Sequence, residues 1–204
     1  MATYKDLRIV IIGAGMGGLG CALSLAKKGF KHIDVFETAP DLGFVGAGIQ
    51  MAPNMNRILD RLGCWGDIEK EATNVKETSI RQGSTNGELA HVNMPDIAEK
   101  YGYPHCTGHR SSLAGGMYKH CQQEPAIRFH FGTAVESISN WDARPRVVAR
   151  PRAGGGETLE VEADVVLAAD GIKWASPDVQ KMIYSHDCVK HAAENFDRLI
   201  ATLA

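Results

Sequence analysis

Six consecutive residues, Gly13-Ala14-Gly15-Met16-Gly17-Gly18, carry the spacing GxGxxG. The chemistry of that spacing is phosphate binding when it follows a strand and opens a helix. The first glycine permits a tight turn, the second lets the backbone approach a pyrophosphate, and the third allows close helix–strand packing. A helix starting there offers unpaired N–H groups and a partial positive charge to the phosphates. Glu37 follows about 20 residues beyond Gly18, where an acid accepts a hydrogen bond from a ribose hydroxyl. An acid there also disfavours a 2′-phosphate, and so NADP, in this pocket. FAD and NAD fit these residues equally.

The elements around the motif suit that chemistry. Residues 7–12 (LRIVII) form a short β-branched run, as expected of a strand covered on both faces. Apolar residues at helical spacing over 19–28 end at Lys27-Lys28-Gly29, and residues 32–37 (HIDVFE) read as a second strand ending in the acid. This is a β-α-β unit, which implies a parallel sheet. Residues 41–54 are Gly-rich and without period, so they read as a loop, and residues 55–62 read as a helix behind Pro53. Residues 75–94 alternate, with Asn86-Gly87 as a hairpin turn. A helix is expected over 111–121 and strands over 127–131, 135–138, 146–150, 158–162 and 165–169, with a flexible turn at 152–156. The fold class expected is α/β: a Rossmann-like dinucleotide-binding fold with a parallel sheet and β-hairpin insertions.

Composition excludes several other classes. The 204 residues carry a formal net charge of -2, which leaves no electrostatic footprint for nucleic acid. No apolar run reaches the roughly 18 residues of a membrane helix. The five cysteines are odd in number and form no CxxC pair, a pattern that fits free thiols in the cytoplasm. His105, Cys106, His109, His120 and Cys121 cluster in sequence, but their spacing fits no Cys/His finger, so no metal site is expected. No nucleophile turn supports a Ser-His-Asp or Cys-His set. Trp141, Trp174 and the charged run 181–191 read as packing or surface residues.

Three further strings occur in one order: GAGIQMAPNMNRILDRLG ending at Gly63, GHRSSL around Arg110, and ADVVLAADGIK ending at Lys173. With the glycine motif and Glu37, they resemble the single-component FAD-dependent aromatic monooxygenases, and most of all the salicylate-hydroxylase-like branch. The resemblance implies FAD as the cofactor, NAD(P)H as a transient reductant, and O2 with a small aromatic substrate such as salicylate as the reactants. It implies that Gly13, Gly15, Gly18 and Glu37 hold the ADP half of FAD, and that Ala47, Gly48 and Gln50 lie near the flavin. Arg110 would contact FAD, and Asp170-Gly171 would serve both FAD and NAD(P)H. A cation at a helix start is disfavoured by the helix dipole, which gives Arg110 a reason to face an anion. No catalytic residue is assigned.

The pattern frays after Ile172. The later Gly-Asp motif of that family, of the form GDAAH, is absent from these residues, and KWASPDVQKMI follows the Asp-Gly pair. The domain organisation expected is therefore an FAD-binding domain over 1–173 and a divergent tail over 174–204, in a chain cut short of its substrate domain. Such a chain would hold FAD loosely and leak peroxide. The rival readings are a remnant without turnover and a different NAD- or FAD-linked oxidoreductase on the same scaffold.

Overall fold

The computed structural model describes residues 3–43, 47–140, 144–153 and 156–171. A 3-10 turn at Tyr4–Asp6 leads into β1 (Arg8–Ile12), α1 (Met16–Lys27) and β2 (His32–Phe36). Next come β3 (Gly48–Met51), α2 (Pro53–Arg61), α3 (Trp65–Glu69), β4 (Thr73–Asn74), β5 (Glu77–Arg81) and β6 (Glu88–Asn93). They are followed by α4 (Ile97–Tyr101), β7 (Cys106–His109), α5 (Arg110–Cys121), β8 (Ile127–His130) and β9 (Thr133–Ser139). The last described elements are β10 (Arg146–Pro151), β11 (Leu159–Glu162) and β12 (Val165–Ala168). The described residues divide into two compact units, one made of residues up to Gly43 and from Cys121 onward, the other of Phe44–His120.

The first unit is built on a parallel sheet of order β12-β1-β2-β8. Parallel strands need a crossover, and α1 supplies it between β1 and β2. Both faces of β1 are covered, which is why its sequence is apolar without alternation. Val10 and Ile12 join Phe36, Val135, Ile138, Val147 and Ala149 in one core against the antiparallel sheet β11-β10-β9. Ile11 lies beneath α1, whose Leu19, Ala22 and Leu23 are fully buried. Each such buried aliphatic side chain contributes about 1.5–3 kcal/mol.

The second unit contains the sheet β3-β7-β4 and the hairpin β5-β6. Asn86 takes a positive φ of 55° in the hairpin turn, as an Asn-Gly pair is suited to do. Every residue of β5 and β6 is exposed.

Two expectations need correction. The stretch 41–54 is not all loop, because β3 lies within it and pairs antiparallel with β7. Four residues including a glycine show no period, and the partner strand lies far along the chain. The first helix begins at Met16, three residues before its apolar spacing starts, because the glycine motif itself forms the first turn. The expectations for Trp141, Trp174, the run 181–191 and the tail 174–204 lie outside the described residues, as do two residues of the 152–156 turn.

Candidate functional site

The glycine turn is held by contacts that leave no room for a side chain at two of its positions. Gly13 has φ +98°, and its N–H donates to the Phe36 carbonyl at 2.7 Å. A Cβ added there would stand 2.7 Å from the Ala169 carbonyl oxygen and 2.9 Å from the Asp170 Cα. A Cβ on Gly18 would lie 1.9 Å from the Gly13 carbonyl oxygen, so α1 and the turn meet backbone to backbone. Gly15 differs: a Cβ there meets nothing within 4 Å. It is the N-cap of α1, extended at φ -67° and ψ -179°, and no side chain caps the helix. The first turn of α1 therefore presents backbone donors beside open space, and that donor set fits a pyrophosphate.

Glu37 follows β2 next to this turn. Its carboxylate accepts the Ala14 N–H on Oε2 and the Ala39 N–H on Oε1, each at 2.8 Å. A carboxylate offers about four acceptor positions, so two remain for a ligand. Asp170 and Gly171 leave β12, whose ladder continues through Ala169 N–H to the Ile12 carbonyl at 2.8 Å. Gly171 takes a φ of +73°. Gly13, Gly15, Gly18, Glu37, Asp170 and Gly171 thus share the carboxyl ends of β1, β2 and β12, the edge at which parallel α/β sheets bind ligands.

Ala47, Gly48, Gln50 and Arg110 belong to the second unit. The Ala47 carbonyl accepts the Arg110 N–H at 2.9 Å, Gly48 lies opposite His109, and Gln50 lies opposite Thr107. Gly48, Gln50 and Arg110 are exposed. Among the described residues the Arg110 guanidinium makes no hydrogen bond or ion pair, at a helix start where a bare cation gains nothing from the dipole.

Two groups were missed by sequence reasoning. Asn56, fully buried, donates from Nδ2 to the Pro104 carbonyl at 2.8 Å and to the Met51 carbonyl at 3.4 Å, tying the end of β3 to the entry of β7. Its signal was a polar residue three positions before the buried Leu59, on the helix's inner face. His130 Nε2 lies 2.7 Å from Asp34 Oδ1, with its ring stacked on Phe36 at 4.4 Å. That pair depends on strand register and has no local signal.

An open cavity of about 490 Å³ lies between α3 and α5, lined by Asp67, Lys70, Ser112 and Lys119 among others. It holds none of the ten expected residues. The Lys119 and Lys70 ammoniums hold the Asp67 carboxyl well below the usual carboxylate range, so its charges are satisfied among themselves.

Comparison with known proteins gives a consistent picture. The family described as FAD binding domain matches residues 6–182. The chain is 32% identical over 169 residues to 3-hydroxybenzoate 6-hydroxylase 1 of Aquipseudomonas alcaligenes, covering 82% of this chain and 41% of that protein. It is 37% identical over 168 residues to a 3-amino-4-hydroxybenzoate 2-monooxygenase of Streptomyces platensis, covering 81% and 39%. The crystal structure of p-nitrophenol 4-monooxygenase from Pseudomonas putida superimposes with a TM-score of 0.69 at 24% identity, over 84% of this chain and 42% of that one. That likeness shows a shared fold. The chain spans about two fifths of the length of these relatives.

Proposed function

The chain belongs to the FAD binding domain family, and from that premise we propose that it is the cofactor-binding part of a monooxygenase that hydroxylates a phenolic or aromatic acid. The observation that carries this is the meeting of three sequence-distant features at one sheet edge: the capless α1 N-terminus at Gly15, the Glu37 carboxylate, and the Asp170-Gly171 exit of β12.

In this reading the first-turn amides of α1 bind the pyrophosphate of FAD, Gly15 gives it room, and Gly13 and Gly18 hold the turn. Glu37 accepts from the adenosine ribose. Arg110 provides a cation for the cofactor, and Ala47, Gly48 and Gln50 line the flavin. Asp170-Gly171 serves both FAD and NAD(P)H. The bound flavin supplies the redox chemistry, with NAD(P)H as reductant and O2 as the source of the inserted oxygen. The relatives' names specify hydroxylated aromatic carboxylates, which supports that substrate class here, and salicylate is a member of it. A cytoplasmic setting accords with the free thiols Cys21 and Cys106. The domain reading keeps an FAD-binding domain over 1–173 with the hairpin β5-β6 inserted.

The test is the flavin content of the purified chain, followed by hydroxylated product from NADH or NADPH with salicylate and its isomers. A colourless protein that does not take up FAD on titration would refute the cofactor assignment. Flavin uptake without phenol-stimulated NAD(P)H oxidation would leave the cofactor assignment standing and show that this part alone does not turn over.

A further inference from the structure

Among the described residues β8 is an edge strand, with a sheet neighbour, β2, on one side. Its last residue, His130, nevertheless grips the carboxyl end of β2 in three ways. The His130 carbonyl accepts the Glu37 N–H at 3.0 Å. Its Nε2 lies 2.7 Å from Asp34 Oδ1, and its ring stacks on Phe36 at 4.4 Å with an interplanar angle of 11°. Asp34 and Phe36 are two residues apart in β2 and so share the sheet face on which the imidazole lies. The turn after His130 continues the grip: Thr133 N–H donates to the Glu37 carbonyl at 2.9 Å, and Gly132 N–H to the Ala39 carbonyl at 2.7 Å.

Glu37 is thereby fixed at both its backbone polar groups by the β8–β9 segment. Its carboxylate is left to bridge Ala14 and Ala39. The Asp34–His130 contact is half-buried, with side-chain exposures of 23% and 31%, which shields it from the competition that makes open surface pairs weak. A glutamate at a strand end has three side-chain torsions, and a ribose hydroxyl is met only if the backbone beneath them is held still.

We propose that His130 is a positioning residue: its hydrogen bond to Asp34 locks β8 against β2 so that the Glu37 carboxylate faces the 2′-hydroxyl of the adenosine ribose. This rests on the assignment of Glu37 to that ribose. It adds a residue pair that touches no cofactor atom and acts through Glu37.

The experiment compares ADP with 2′-deoxy-ADP by calorimetric titration of the unliganded chain. A hydrogen bond to a carboxylate gives the wild type a preference for ADP on the order of tenfold. Glu37→Gln measures the part of that preference owed to the carboxylate. In His130→Phe, which keeps an aromatic ring over Phe36 but cannot donate to Asp34, the preference is expected to fall to about twofold or less, with 2′-deoxy-ADP affinity nearly unchanged. Asp34→Ala keeps the imidazole and its stack, and should give the same loss should the phenylalanine variant fail to fold. A merely structural role would weaken both nucleotides alike and leave the ratio intact, and that result overturns the proposal. A wild type without any ADP preference would instead overturn the ribose assignment of Glu37, and the positioning role with it. A preference lost in Glu37→Gln but kept in both other variants overturns the positioning role alone.

Discussion

Alanine at Gly18 and alanine at Gly15 should have opposite consequences, although the two glycines sit in one motif. Within a helix, alanine is favoured over glycine by about 1 kcal/mol. At Gly18 the added Cβ would stand 1.9 Å from the Gly13 carbonyl oxygen, where ordinary contact begins near 3.4 Å. The opposing atom is backbone, held by the Gly13 N–H bond to Phe36, so it cannot rotate away. Relief requires lifting α1 from β1, which opens space over Ile11 and Leu19. Overpacking of this kind costs about 1–3 kcal/mol, and backbone clashes fall at or above the upper end. The net expectation is a loss of about 2–3 kcal/mol from a total that for such domains is about 5–15. At Gly15 the backbone is extended and the Cβ position is empty. Alanine is a slightly poorer N-cap than glycine, but it lowers the entropy of the unfolded chain by a similar amount, so stability should move by less than about 0.5 kcal/mol. FAD affinity should nevertheless drop at least tenfold, since the methyl group occupies the space beside the first-turn amides. Urea unfolding of the flavin-free chain and FAD titration of the same samples measure both quantities. Wild-type FAD affinity in Gly15→Ala would refute the placement of the pyrophosphate, and an unshifted urea midpoint in Gly18→Ala would refute the clash.

Two further outcomes are expected. Asn56→Leu removes the amide that bonds the Pro104 carbonyl at 2.8 Å and the Met51 carbonyl at 3.4 Å, and losing this clamp should cost about 1 kcal/mol in urea unfolding; an unchanged midpoint would show the clamp to be idle. His91 in β6 is raised above its ordinary value of 6.5 by hydrogen bonds to Glu88 and Asn93, so its contribution to the hairpin is fully present below pH 6.5 and is lost as pH rises through the higher folded value. Amide exchange in β5-β6, corrected for its intrinsic pH dependence, should therefore lose protection across that window in the wild type and not in His91→Gln, and a flat wild-type profile would contradict the pairing with Glu88.

What the sequence disclosed and what it hid differ by the range of the interaction. β1 was legible because a strand covered on both faces must be apolar throughout, and residues 7–12 are nearly so. The hairpin was legible because Asn86-Gly87 states its own turn. β3 was not, since its hydrogen bonds go to Cys106–His109 and nothing in Gly48–Met51 announces them. α3 spans five residues, too few for a helical period to show. The Asp34–His130 contact joins residues 96 apart, and only the register of β2 against β8 puts them on one face. Motifs that act through their own backbone are written locally, whereas side chains that act through a neighbour are written in the pairing of strands.

The glycine motif itself sits on that divide. Its spacing names the turn, but the requirement for glycine at position 13 has two sources, one of which no local reading contains. Gly13 holds a φ of +98°, which the turn between β1 and α1 imposes, and a Cβ there would strike Ala169 and Asp170 at the exit of β12. The turn can therefore keep its shape only while β12 runs beside β1 and leaves the sheet at Asp170. That ties the Asp170-Gly171 pair to the phosphate-binding turn as one structural element. In the proposed reading, a dinucleotide bound at Gly15 would place its pyrophosphate over the α1 amides, and the β12 exit would keep the turn beneath it in shape.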